Sequence, residues 1–115
     1  STDNIASMNR ARMLHVRDLI ESALGEDLAL ARLAGEAGIA VHAFAAAFTR
    51  AFGVPPYRYV IQRRVERAKS LLRQGDLPIA RIAYETGFAS QSHLATTFKR
   101  TVGQTPGAYR RSSGA

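Results

Sequence analysis

The chain carries one short pattern twice, so whatever it folds into must hold the same small unit two times. Leu30, Ala31, Arg32, Leu33, Ala34, Glu36 and Gly38 recur 49 positions later as Ile79, Ala80, Arg81, Ile82, Ala83, Glu85 and Gly87. Five of these seven pairs are identical, and the other two exchange Leu for Ile. Past the glycine the offset becomes 50, so that Phe44, Phe48, Arg50 and Gly53 match Leu94, Phe98, Arg100 and Gly103. The turn after the glycine is therefore one residue longer in the second copy. A duplicated supersecondary unit explains this; a single composite active site does not require it.

In the second copy, Ile79, Ile82 and Ala83 share one helical face, and Gly87 is the residue that most easily takes the positive φ ending a helix. After Phe88 and Ala89, Ser90 is suited to cap a second helix whose apolar stripe is Leu94, Thr97, Phe98 and Val102. Phe88 is expected between the two helices. The opposite face of the second helix carries Gln91, Ser92, Ala95, Thr96, Lys99 and Arg100. Amides, hydroxyls and small groups come first and cations later, as a helix entering a DNA major groove needs. Gln91, Ser92, Ala95 and Thr96 are thus candidate base contacts, and Ser90, Lys99 and Arg100 candidate phosphate contacts. His93 reads as a plain surface histidine rather than a phosphate donor.

The run G-F-A-S-Q-S-H-L-A-T-T-F-K-R-T-V-G-Q-T-P-G-A-Y-R-R resembles the C-terminal signature of the AraC/XylS family of bacterial transcription regulators. That pattern is roughly G-F-x-(S/D)-x-S-x-(F/L)-x-R-x-F-(K/R)-x-x-x-G-x-(S/T)-P-x-x-(Y/F)-R. The chain departs from it at Thr96, where the family often has Arg. The resemblance covers roughly residues 10 to 111. It implies an all-α fold of about seven helices, two helix-turn-helix units joined by a long linker helix, and DNA binding in the regulation of transcription.

Composition bounds the alternatives. Sixteen Lys and Arg against nine Asp and Glu give a net charge of +7 over 115 residues, which favours a polyanionic partner without choosing between nucleic acid and anionic lipid. No apolar run is long enough to span a bilayer and no signal peptide opens the chain, so a cytoplasmic protein with no membrane partner is expected. With no cysteine, and with His15, His42 and His93 scattered, neither a metal nor a cofactor is expected. There is no Ser/His/Asp order, carboxylate pair or phosphate loop to support an enzyme. Glu36 and Glu85 read as salt-bridge partners of nearby Arg. The competing binding class is a basic helical module for an acidic protein or membrane surface, which leaves the duplicated unit unexplained.

The remaining segments follow from periodicity and breakers. Residues 1–7 read as a flexible lead, and a first helix starting near Ser7 or Asn9 carries Met13, Val16, Leu19, Ile20, Ala23 and Leu24 to a stop at Gly25. The first helix-turn-helix unit spans 8–54, the linker helix 55–75, the second unit 76–111, and a flexible tail 112–115. In the first unit the reading positions become Val41, His42, Ala45, Ala46 and Thr49, and Ala40 replaces the capping Ser90. His42, Ala45 and Ala46 are candidate base contacts and Thr49 and Arg50 candidate phosphate contacts. Either the alanine methyls touch thymine or this helix only positions the protein through shape and phosphate.

Pro56 stands near the start of the linker helix, and its predicted apolar stripe is Tyr57, Val60, Ile61, Val65, Ala68, Leu71 and Leu72. About 18 residues give roughly 27 Å, near the rise of one turn of DNA (~34 Å). Arg58, Arg63, Arg64, Arg67, Lys69 and Arg73 make the linker basic, with only some expected to meet phosphate and Arg58 the candidate phosphate contact among them. Gln104, Thr105 and Pro106 open a short last helix through Tyr109, where Arg110 is a further candidate phosphate contact. Because residue 1 is Ser, an N-terminal effector-binding domain is expected to be missing, although short family members lack one. Double-stranded DNA is the expected partner, with RNA polymerase a further candidate.

Overall fold

The structure is a computed structural model; it describes residues 2–113, with side chains from Met8 onward. The described residues form seven helices and no strand: α1 Thr2–Ser22, α2 Leu30–Ala37, α3 Val41–Phe52, α4 Pro56–Gln74, α5 Ile79–Glu85, α6 Gln91–Val102 and α7 Pro106–Ser113. Helix α1 begins at Thr2 rather than near Ser7 or Asn9, because no Gly or Pro interrupts the chain ahead of Gly25. The flexible lead expected at 1–7 is therefore helical from Thr2, and residue 1 lies outside the described residues. At the other end α7 continues through Ser113, so the expected tail at 112–115 is helical for its first two residues. The remainder of that tail lies outside the described residues.

The chain divides into two compact units. The first holds the chain up to Ala23 and Asp27–Val60, the second Leu24–Glu26 and the chain from Ile61 onward. Helix α4 contributes its opening residues to the first unit and the rest to the second.

In the first unit α1, α2 and α3 pack on one another and bury Met13, Val16, Ile20, Leu33, Ala34, Phe44 and Phe48. Gly38 has φ +72°, and the Ile39 N–H donates back to the Ala34 carbonyl at 3.2 Å. This is the left-handed closure that lets α2 turn sharply into α3. The opening of α4 then closes the unit: the Tyr59 ring meets Phe48 edge-on at 5.5 Å. Tyr57, expected in the buried stripe, is 71% exposed, because Tyr59 and Val60 are the residues facing the first unit.

The second unit repeats the plan. Gly87 has φ +84°, and the Phe88 N–H donates to the Ala83 carbonyl at 3.0 Å. Val65, Ala68, Leu72, Ile82, Ala83, Phe88, Leu94 and Phe98 form its core. Thr86, fully buried, donates its hydroxyl to the Ile82 carbonyl at 2.7 Å. Tyr109 on α7 meets Phe98 edge-on at 5.4 Å, as Tyr59 meets Phe48. The repeat thus includes the closing helix, with Pro56 and Tyr59 corresponding to Pro106 and Tyr109 at the same offset of 50.

Gly25 is not among the glycines with positive φ, so it does not stop α1 by left-handed geometry. It is small because a Cβ there would lie 2.7 Å from the Glu85 carbonyl oxygen. The two units also differ at one helix start. The Ser90 hydroxyl accepts the His93 N–H at 3.0 Å, whereas Ala40, extended at φ −64° and ψ 147°, offers no side-chain cap to α3. Ala40 already has the backbone geometry a capping serine adopts. Ala40→Ser is therefore expected to stabilise the chain, and Ser90→Ala to destabilise it, by roughly 0.5–2 kcal/mol each. Urea midpoints of the two variants check this; midpoints moving in the same direction would contradict it.

Candidate nucleic-acid interface

In α6 the residues that are apolar or nearly so point inward: Leu94, Thr97 and Phe98 are buried and Val102 is half-buried. Residues one step around the helix therefore point out. Gln91, Ser92, Thr96, Lys99 and Arg100 are exposed, with Ala95 half-buried among them. The amide and hydroxyl groups occupy the opening turns, and Lys99 and Arg100 the last turn, where cations also suit the negative end of the helix dipole. Ser90 caps with its oxygen, which leaves its hydroxyl proton to donate outward.

His93 is half-buried and has local work. Its ring meets Phe88 edge-on at 5.3 Å, and its Nδ1 accepts the Ala89 N–H at 3.4 Å. It braces the turn between α5 and α6. It is thus not a free surface histidine, and with Nδ1 accepting, its ring proton sits on Nε2.

Helix α3 presents the corresponding face. His42, Ala46, Thr49 and Arg50 are exposed and Ala45 is half-buried beside them, while Phe44 and Phe48 anchor the helix inward. The Thr49 hydroxyl donates to the Ala45 carbonyl at 2.9 Å, spending its only proton inside the helix. A phosphate oxygen needs a donor, so Thr49 offers it nothing in this geometry. That leaves His42 and Arg50 as the polar reach of α3, set among methyl groups.

The structure also sorts the cations. Arg110 donates from Nη2 to the Leu77 carbonyl at 2.6 Å and from Nε to the Leu72 carbonyl at 3.3 Å. These bonds give it a structural role: it satisfies a carbonyl in the last turn of α4 that has no helical N–H to accept. Arg64 likewise donates to the Leu24 and Glu26 carbonyls at 3.0 and 2.7 Å. Arg73 donates to the Tyr109 hydroxyl at 2.7 Å, and Lys69 reaches Glu66 at 3.4 Å and lies over the Tyr109 ring. Arg81 pairs with Glu85 at 2.8 Å, as expected for that glutamate, but Glu36 meets His15 at 3.3 Å instead of an arginine. Among the described residues, Arg10, Arg50, Arg58, Arg67, Lys99, Arg100 and Arg111 remain exposed and without a protein partner.

A helix-turn-helix domain model matches residues 33–112. Transcriptional regulator LumQ of Photobacterium leiognathi is 31% identical over 103 residues, which is 90% of this chain and 42% of LumQ. The chain thus spans less than half of that relative's length. Among solved structures, the DNA-binding domain of the transcriptional factor AdpA, determined in complex with a target DNA, superposes with a TM-score of 0.84 at 29% identity. The match covers 87% of this chain and 90% of that one. A transcriptional regulator of Chromobacterium violaceum with an AraC-type DNA-binding domain gives 0.81 at 25% identity, covering 90% of this chain and 92% of that one. With its duplicated helix-turn-helix units and a domain match reaching from α2 to α7, the chain belongs to the AraC-type family of helix-turn-helix domains.

Proposed function

We propose that this chain binds double-stranded DNA sequence-specifically, as the DNA-binding domain of a bacterial transcription regulator, with α6 reading bases and α3 serving mainly to position. The observation that carries the reading is the outward face of α6. Gln91, Ser92 and Thr96 stand exposed in its opening turns and Lys99 and Arg100 behind them, on a helix fixed from beneath by Leu94 and Phe98. A glutamine amide can pair bidentately with adenine, and hydroxyls can serve either base edge. Successive major-groove segments for α3 and α6 are part of the proposal, supported by the sequence repeat and by the 19 residues of α4, roughly 28 Å of helix. No helix of the described residues is long and apolar enough to cross a membrane, and a cytoplasmic location fits the family. An effector-binding domain and RNA polymerase as further partners belong to the same proposal, consistent with a relative more than twice as long.

The test pairs two substitutions across a panel of single-base variants of a duplex selected from random sequence by this chain. Gln91→Ala is expected to relax preference at one or two base pairs of one half-site, costing about 1–3 kcal/mol against the best sequence. Ala46→Leu is expected to weaken binding without base selectivity, by blocking the approach of α3. If Gln91→Ala leaves every preference intact while Ala46→Leu rewrites the other half-site, the assignment is wrong and α3 carries the readout through methyl contact or DNA shape.

A further inference from the structure

A groove of about 330 Å³ runs between α1 and α3 within the first unit, lined by Asn9, Arg10 and Met13 on one side and Ala47, Arg50 and Ala51 on the other. It is the place where a helix outside the helix-turn-helix pair comes alongside the reading helix. We infer that Arg10 and Arg50, with the Asn9 amide, form a seat for one backbone phosphate of bound DNA, so that α1 is part of the DNA footprint. This rests on the DNA-binding reading above and extends it to a helix that the sequence marks only as packing.

Four observations carry it. Arg10 and Arg50 are both exposed, and among the described residues neither has an ion pair, hydrogen bond or ring contact. Two guanidinium groups brought to one groove without an acid repel each other, and an anion between them removes that cost. The other lining residues besides Asn9 are Met13, Ala47 and Ala51, apolar surface along which arginine stems can lie while their charged heads stay in water. Finally, Arg50 sits one residue beyond Thr49 on α3, at the border between the reading face and the groove. A phosphate beside the reading helix therefore meets Arg50 first, and Arg10 approaches it from α1. An acidic protein segment would satisfy the same charges but would gain nothing from this continuity with the reading face.

The experiment uses the whole chain and its selected duplex, with Arg10→Gln, Arg50→Gln and the double variant. All three are expected to keep the wild-type melting temperature, since both side chains are exposed. Arg10→Gln is expected to weaken every duplex by a similar factor, up to roughly fivefold, with base preferences unchanged. The double variant is expected to lower the slope of log affinity against log salt by about 0.9, the value for one phosphate. Ethylation of one particular phosphate should weaken the wild type and leave the double variant unaffected. Wild-type affinity, slope and ethylation pattern in Arg10→Gln would overturn the seat while leaving the DNA reading intact. A slope loss near 1.8 with two separate ethylation positions would overturn the shared seat. Failure of the wild type itself to prefer duplex DNA over heparin would overturn the DNA reading and the seat with it.

Discussion

Gly87→Val lowers the melting temperature of the chain by roughly 10 °C or more, and by clearly more than Gly103→Val does. Both glycines have positive φ, +84° and +93°, where a β-branched residue is strained by about 1–3 kcal/mol. The difference lies in what surrounds them. A Cβ at Gly103 meets nothing within 4 Å, whereas a Cβ at Gly87 lands on the Leu24 carbonyl oxygen and 2.7 Å from Nε of Arg64. Those are the acceptor and the donor of one hydrogen bond, so the side chain must push apart a tie between α4 and the segment after α1. Overpacking of this kind adds about another 1–3 kcal/mol, on a domain whose whole stability is about 5–15 kcal/mol. Thermal melts of Gly87→Ala and Gly103→Ala isolate the second effect, since the two share the backbone cost. Equal losses for that pair would mean that the Leu24 and Arg64 neighbourhood yields freely. Function should follow stability here, because Gly87 sets the turn that aims α6.

How much of this was legible in the sequence differs by kind of residue. The duplicated units, α2 through α7 and the outward face of α6 could be read because each depends on local spacing: apolar residues at helical period, a glycine past the ends of α2 to α6, and a serine or proline at the starts of α4 to α7. The full extent of the repeat was legible too, since Pro56 and Tyr59 stand 50 positions before Pro106 and Tyr109. Extending the offset that far would have chosen Tyr59 over Tyr57 as the ring that packs on Phe48. What local spacing could not assign was the work of the long cations. Arg64 and Arg110 look like any other arginine of a basic protein, but each points at backbone carbonyls. Which carbonyls a distant arginine can reach is decided by the tertiary path of the chain. The donor direction of Thr49 was not legible for a different reason: its hydroxyl can donate outward or back to the carbonyl of the preceding turn, as it does to Ala45, and both are compatible with the same sequence. Gly25 was misread because a small residue needed for close approach looks, in sequence, the same as one needed for positive φ.

The affinity of the chain for its selected duplex is expected to fall by roughly 10³ to 10⁵ between 50 and 200 mM salt, the range for six to ten neutralised phosphates. The structure changes which cations should produce that loss. Arg50, Arg58, Arg67, Lys99 and Arg100 stand exposed without protein partners, whereas Arg64, Arg73 and Arg110 already donate within the fold. Two substitutions separate the classes. Lys99→Gln should lower the salt slope by about 1 and leave the melting temperature alone. Arg110→Gln should do the reverse: it leaves the Leu72 and Leu77 carbonyls without their donor, costing about 1–3 kcal/mol of stability, while the slope of the folded protein stays at the wild-type value. Affinity and melting temperature measured for both variants across the salt series decide the matter. An Arg110→Gln protein that melts like the wild type and loses a unit of slope would return that arginine to the phosphate side. A flat salt response from the wild type, or equal binding to heparin and to every duplex, would favour a generic basic module over a reader of DNA.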